Sequence, residues 1–159
     1  MRNATLVFLV KKADGIITDV CLAMKLRGFG KDRWNGTGGK VQENESIEVA
    51  AKRETKEEVN VDVKSLEKVG ELQFTFPHNS AWNQMVHVYV SENFEGEPTE
   101  SEEMRPEWFS IDEIPYGAMW AADAHWIPTV MAGKKIRGSI VFGEEDVVLD
   151  AQVEEVEEF

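Results

Sequence analysis

Residues 39–61 read Gly-Lys-Val-Gln-Glu-Asn-Glu-Ser-Ile-Glu-Val-Ala-Ala-Lys-Arg-Glu-Thr-Lys-Glu-Glu-Val-Asn-Val, a glycine-closed loop that runs into a helix. Ser46 caps that helix, which is predicted to continue to about Val59. Helical residues three and four apart are neighbours, so Glu54 sits beside both Glu57 and Glu58. At about 100° per residue the three carboxylates share an arc of roughly 100°. Ile47, Ala50 and Ala51 lie on the same arc, while Lys52 and Lys56 point away from it. The acids are therefore expected to face the body of the protein. Desolvated like charges repel, so such a cluster needs protons or a cation. Hard oxygen donors suit Mg²⁺, or Mn²⁺ in its place. Any fold for this chain has to lay this helix against a sheet or core while keeping its acidic end open to an ion.

A chain of 159 residues with 42% hydrophobic content fits one domain, residues 1–159, with a full core. The net charge of −13 argues against a nucleic-acid polymer or an anionic membrane as partner. A small phosphorylated substrate remains compatible if a metal carries the positive charge. The single cysteine, Cys21, excludes an internal disulfide and suits a reducing, cytoplasmic setting. Leu6–Val10 is too short for a membrane span or a signal core. A monomer is the expected state.

Thr5–Val10 and Val20–Met24 read as strands about the turn Asp14-Gly15, and residues 25–38 as a glycine-rich loop. Val69–Phe76 and Met85–Val90 alternate as strands joined by Pro77–Asn83, and Glu107–Ser110 reads as a short strand. Ser110–Ile114 and Asp123–Met131 suggest two short helices, the first stopped before Pro115. Gly138–Phe142 and Asp146–Gln152 read as a closing hairpin. Residues 144–159 hold eight acids and no Lys or Arg, yet Val147, Leu149, Ala151 and Val153 alternate, which favours a strand with one polar face. Strands dominate, and the pattern predicts an α/β (α+β) fold with mixed sheet packed between helices. His78, His87 and His125 show no metal spacing with Cys21, and His87 is expected to pack or hydrogen-bond within its strand. There is no GxSxG and no GxxxxGK[ST].

The 39–61 segment resembles the signature of the Nudix hydrolases. Gly39, Glu45, Arg53, Glu54, Glu57, Glu58 and Val61 match at the family's spacing. Thr55 stands where the family has an aliphatic residue, and Asn60 where it has a second glycine. Asn is the next-best residue for a left-handed helix end, so that change is mild. The resemblance implies an α/β/α sandwich and a Mg²⁺-dependent hydrolase of diphosphate bonds. It implies Glu54, Glu57, Glu58 and the Gly39 carbonyl as metal ligands, with Glu103 as a fourth carboxylate. Arg53 would orient Glu57 one turn on. Glu57, Glu58 and Glu103 all remain candidates for the general base.

Shorter matches continue outside the signature, from about Thr5 to Val153. Leu26-Arg27-Gly28-Phe29-Gly30, Arg33-Trp34-Asn35-Gly36, Glu103-Met104-Arg105-Pro106, Trp108-Phe109, Met119-Trp120 and Trp126 are similar, in order, to the branch of the family that cleaves oxidised purine nucleoside triphosphates in animals. The resemblance implies conversion of modified purine triphosphates to monophosphate and pyrophosphate, which keeps the nucleotide pool clean. It implies that Asn35 hydrogen-bonds the base edge, that Phe29, Phe74 and Trp120 pack around the ring, and that Thr5 and Lys25 lie near the pocket or the sugar-phosphate side. That branch has two adjacent acids where this chain has Ala122-Asp123. Two close acids share a proton near neutral pH, so a lone Asp123 is expected to have a less raised pKa and the base selectivity to be narrower or shifted. Trp82, in the Pro77–Gln84 loop, is placed at the pocket edge. Activity on undamaged nucleotides or nucleotide sugars, and nucleotide binding without catalysis, are the alternatives.

Overall fold

The structure, a computed structural model, describes residues 1–159. β1 (Arg2–Ala13) and β2 (Ile16–Lys25) form the first hairpin around Asp14-Gly15, where both residues have positive φ. β3 (Trp34–Asn35) leads through the signature loop to α1 (Ile47–Val59). β4 (Asp62–Val63), β5 (Glu67–Thr75), β6 (Gln84–Ser91), β7 (Phe94–Glu95) and β8 (Met104–Ser110) follow. α2 (Ile127–Met131), β9 (Lys135–Phe142) and β10 (Val148–Val156) end the chain. The main sheet runs β10-β9-β5-β6-β1-β2-β3, with β8 also on β2; the β1–β6 and β5–β9 pairs are parallel and the rest antiparallel. β4 and β7 form a separate two-stranded ribbon.

Helices cover both faces of this sheet, which is the expected α/β/α sandwich. Leu6, Phe8 and Val10 of β1 point to one face, where they join Trp126, Ile127 and Val130 of the α2 region. Val7 and Leu9 point to the other, against Ala51 and Val59 of α1. A strand buried on both sides reads as a continuous apolar run rather than an alternating one. Ser46 caps α1 by accepting from the Val49 N–H, and Asn60 ends it in the left-handed conformation (φ 62°), donating its N–H to Lys56 O. Thr55 is fully buried, and its hydroxyl meets the Thr37 hydroxyl at 2.8 Å and donates to Ala51 O at 2.9 Å. The lost aliphatic contact is thus replaced by a satisfied polar pair between helix and loop.

Three local expectations change. The loop over 25–38 contains the two-residue strand β3. The two late helices are mostly 3₁₀ turns, at Ile111–Glu113, Tyr116–Ala118 and Ala121–His125, and only Ile127–Met131 is α-helical. Trp126 interrupts them with φ −139° so that its indole can enter the core, and Pro128 then sits in the first turn of α2, where its missing N–H costs nothing. β10 forms as predicted, but a bulge between Val148 and Asp150 shifts its phase, so Val147 and Leu149 are exposed while Val148, Ala151 and Val153 pack on the core.

The site is positioned by a splay in the sheet. β1 and β2 pair only from Leu9↔Cys21 to Ala13↔Ile16. Beyond that they part, and residues 34–40 enter the gap: Trp34 and Asn35 pair with Met24 and Ala23, while Thr37 and Lys40 bridge Val7 and Ala4. A Cβ on Gly38 would lie 1.9 Å from Thr5 O, so only glycine lets the wedge approach β1 this closely.

Candidate active site

The wedge carries one end of each half of the site. Gly38 donates its N–H to Glu58 Oε1 at 2.9 Å. A Cβ on Gly39 would meet the Glu54 carboxylate carbon at 2.6 Å, so this backbone lies directly on the acids of α1. The Gly39 carbonyl faces β1, where it accepts the Thr5 N–H at 2.9 Å. The three signature carboxylates are graded rather than uniformly inward. Glu58 is buried, Glu54 is half-buried, and Glu57, at the rim of the arc, is exposed. Burial pushes the Glu58 pKa up to about 7, with the Gly38 N–H opposing and the Glu54 charge adding to the shift. Burial also raises Glu54, against the pull of Arg53.

Arg53 is the hub of the acidic face. Its Nε and Nη2 grip Glu45 at 2.6 and 3.0 Å, and its Nη1 reaches Glu54 at 3.0 Å and Glu57 at 3.3 Å. Nη2 also donates to Lys40 O at 3.3 Å. Glu45, which carried no role in the sequence reading beyond its motif position, is thus the bidentate partner that fixes Arg53. It accepts the Gln42 N–H as well, so the loop and helix are tied together. Glu103 reaches the same region because Lys25 pairs with Met104 in the β2–β8 ladder. Lys25 Nζ bonds Glu103 at 2.9 Å and Arg27 bonds it at 2.7 Å, and these two cations hold its carboxyl below the usual range. No three acidic, histidine or cysteine side chains converge as a finished metal cage.

A cavity of about 280 Å³ opens beside Glu58 and Gly39. Thr5 and Lys25 line its inner side, Phe29, Phe74 and Trp120 its aromatic walls, and Asn35 and Asp123 supply polar groups. Every sequence-predicted base-pocket residue therefore borders one volume, as do Gly39 and Glu58. Arg53, Glu54, Glu57 and Glu103 lie outside its lining. The Asn35 side-chain carbonyl accepts the Gly36 N–H at 2.8 Å, which leaves its NH₂ as the group free to act on a ligand. Phe29 packs on Trp120 with ring centres 5.2 Å apart, and on Trp82 at 6.2 Å. Trp82, expected at the pocket edge, does not line the cavity; it packs behind two lining residues, Phe29 and Phe76.

Asp123 differs from expectation in one respect. Although Ala122 leaves it without a neighbouring acid, burial alone carries its pKa up to about 7, opposed by the Trp120 N–H and by Arg33. Ala122 is itself buried in the core. Arg33 and Asp146 are among the pocket residues to which the sequence assigned no role. Arg33 stood in plain view beside Trp34-Asn35; Asp146 comes from a distant hairpin turn and left no sequence signal. His87 hydrogen-bonds within the sheet, as expected, and both its ring nitrogens are engaged: Nε2 with Asn3 at 3.0 Å and Nδ1 with Lys68 at 3.2 Å.

Comparison with known proteins agrees with this geometry. The NUDIX domain family matches residues 1–130. The chain is 46% identical over 139 residues to the oxidized purine nucleoside triphosphate hydrolase of Danio rerio, covering 87% of this chain and 88% of that protein. It is 46% identical over 140 residues to the protein of the same name from Mus musculus, covering 88% and 89%. Among solved structures, the MutT protein of Bacillus halodurans superposes with a TM-score of 0.83 at 24% identity, covering 97% of this chain and 98% of that one, which speaks to the fold alone.

Proposed function

For a chain that belongs to the Nudix family, we propose Mg²⁺-dependent hydrolysis of oxidised or alkylated purine nucleoside triphosphates, such as 8-oxo-dGTP or 2-hydroxy-dATP, to the monophosphate and pyrophosphate, with Mn²⁺ able to substitute. The observation that carries this reading is the single cavity whose one wall holds Asn35, Trp120 and Asp123 and whose other wall holds Gly39 and Glu58. The 46% identity to hydrolases named for oxidised purine nucleoside triphosphates supports it.

The donor set fits a hard divalent cation. Glu58 is buried with one N–H as its hydrogen-bond partner and no ion-pair contact, and Glu54 is desolvated beside it; the charges of Lys25 and Arg53 do not offset this burial, and both carboxyls have raised pKa values that a bound cation would bring down. Glu54, Glu57, Glu58 and Glu103 would hold the ion, with the Gly39 carbonyl close by. Magnesium sites of this kind are completed by substrate phosphates and water rather than by a full protein cage. The bound cation would neutralise phosphate charge, polarise the phosphoryl group and acidify a water.

The chain's own residues do the rest. Trp120 and Phe29 offer faces to the base, a contact worth roughly 1–3 kcal/mol per base. The Asn35 NH₂ donates to an acceptor on the base edge. Asp123, near half-protonation at neutral pH, donates when neutral and accepts when ionised. Lys25, held by Glu103, stands on the phosphate side. Arg53 keeps Glu54 and Glu57 in register. With Ala122 in place of a second acid, we expect unequal activity toward different oxidised purines. The protein is expected to act as a monomer in the cytoplasm, on small nucleotides; no helix is long and apolar enough to cross a membrane.

The test is pyrophosphate release from 8-oxo-dGTP, 2-hydroxy-dATP, an O6-alkylated dGTP and dGTP with Mg²⁺. The reading expects kcat/KM for at least one modified purine to exceed that for dGTP by tenfold or more, about 1.4 kcal/mol of discrimination, and the two oxidised purines to differ. Equal activity on all four refutes the base-pocket reading, and no pyrophosphate from any of them refutes hydrolysis.

A further inference from the structure

Trp120 is held from more than one side. The Arg33 guanidinium carbon lies 4.0 Å from the centroid of its ring. The Gly30 backbone presses its edge, where a Cβ would come 3.2 Å from Cζ2. Arg33 is itself held by Asp146, whose carboxylate receives Nη1 at 3.2 Å. Asp146 belongs to the turn between β9 and β10, 113 residues further along the chain.

That turn is built against local preference. Glu145 and Asp146 both have positive φ, 57° and 62°, and Val147 N–H closes the turn onto Glu144 O at 3.4 Å. Left-handed pairs of this kind favour Asn-Gly, Asp-Gly or Gly-Gly, with glycine at the second position; Asp tolerates that conformation better than most residues with a Cβ but less well than glycine. Stability alone would place glycine at position 146. A half-exposed ion pair adds little to stability, so the carboxylate does not repay that strain by charge attraction. What it does gain is orientation. A guanidinium whose carbon sits over the indole and whose nitrogen is anchored by a carboxylate is held in place on the ring face and restrains the ring beneath it. Strained residues held in place at a pocket point to function.

We propose that Asp146 and Arg33 act as positioning residues, a clasp from the closing hairpin that fixes the Trp120 indole for stacking on the base. The clasp joins the last hairpin to the base pocket, so the C-terminal strands serve recognition as well as the core. It rests on the reading that the pocket takes a nucleotide base against Trp120.

Asp146→Gly tests it, because glycine relaxes the turn while removing the carboxylate. KM for the best nucleoside triphosphate substrate should rise roughly three- to tenfold, the range of one well-oriented aromatic contact. kcat should change less than twofold, and the thermal midpoint should stay level or rise. Arg33→Lys should reproduce the KM effect, since an ammonium cannot lie flat on a ring. Arg33→Met combined with Asp146→Gly should be no worse than Arg33→Met alone. An unchanged KM in Asp146→Gly, a parallel fall of midpoint, kcat and affinity, or additive effects in the double variant would each overturn the clasp. Running the series on whichever nucleotide the unaltered protein prefers separates this outcome from the purine reading, which fails only if that preference is not for a modified purine.

Discussion

Replacing Asp123 by asparagine should make the protein more stable at alkaline pH and leave it nearly unchanged in acid. The Asp123 carboxyl is buried, and its pKa stands at about 7 against 3.8 for an ordinary aspartate. That difference of about 3, at 1.36 kcal/mol each, amounts to at most about 4 kcal/mol. The sign follows from proton counting. Below pH 4 both folded and unfolded chains carry the proton, and nothing is lost. Between pH 4 and 7 the folded chain keeps a proton that the unfolded chain has released, so stability falls as pH rises. Above pH 7 the whole cost is present and constant. The groups facing Asp123 are the Trp120 N–H and Arg33, which favour the charge, and Tyr116, which does not supply one. The asparagine side chain retains an oxygen for the Trp120 N–H and does not titrate. The stability gap between the Asp123→Asn variant and the parent should therefore open from near zero at about pH 3, through about 1 kcal/mol at about pH 4.5, to as much as ~4 kcal/mol at about pH 8.5. At about 2–4 °C per kcal/mol for a chain of this size, the midpoints should separate by up to roughly 16 °C. Thermal unfolding of both proteins across that pH range measures it. Glu58 titrates in both and cancels. A gap that stays constant with pH, or a variant weaker than the parent at pH 8.5, would refute the assignment of a strained buried carboxylate.

Two other outcomes follow from the same geometry. Glu58→Gln keeps an oxygen for the Gly38 N–H but removes the buried charge, so turnover at saturating Mg²⁺ should be lost while circular dichroism is retained and the thermal midpoint matches the parent in acid and rises above it at alkaline pH, because the parent's Glu58 is also pushed up to about 7 by burial. Gly38→Ala drives a Cβ to 1.9 Å from Thr5 O and must displace the wedge; urea denaturation should show a loss of about 3 kcal/mol or more, together with loss of activity.

The parts legible in the sequence were those with short-range codes. Helix α1 declared its start at Ser46, its end at Asn60 and its acidic arc by spacing alone, and β1 declared its double burial by an unbroken apolar run. The burial of Glu58 relative to Glu57 was not legible, because two residues on one arc differ by where the sheet edge falls. The late region misled because Trp126 and the prolines break one apparent helix into 3₁₀ turns. β10 was right in existence and, at Ala151 and Val153, in phase; a one-residue bulge at Leu149 inverts the alternation only up to that point, at Val147 and Leu149. Asp146 was invisible for a related reason: its role depends on a turn that folds back across the whole sheet, and no local pattern encodes such a return.

The wedge of residues 34–40 has a further consequence. Asn35 at one end lines the cavity proposed to take the base, and Gly39 at the other lies on the Glu54 carboxylate of α1. The span between them is four residues of near-extended chain, at most about 13 Å, pinned to β1 and β2 along its length. It works as a gauge. On the proposed reading, the distance from recognised base to cleaved bond is set by the backbone itself rather than by the pocket side chains. Point substitutions around Trp120 can retune which base is accepted, but a compound whose base and scissile bond are set wider apart cannot engage both ends at once.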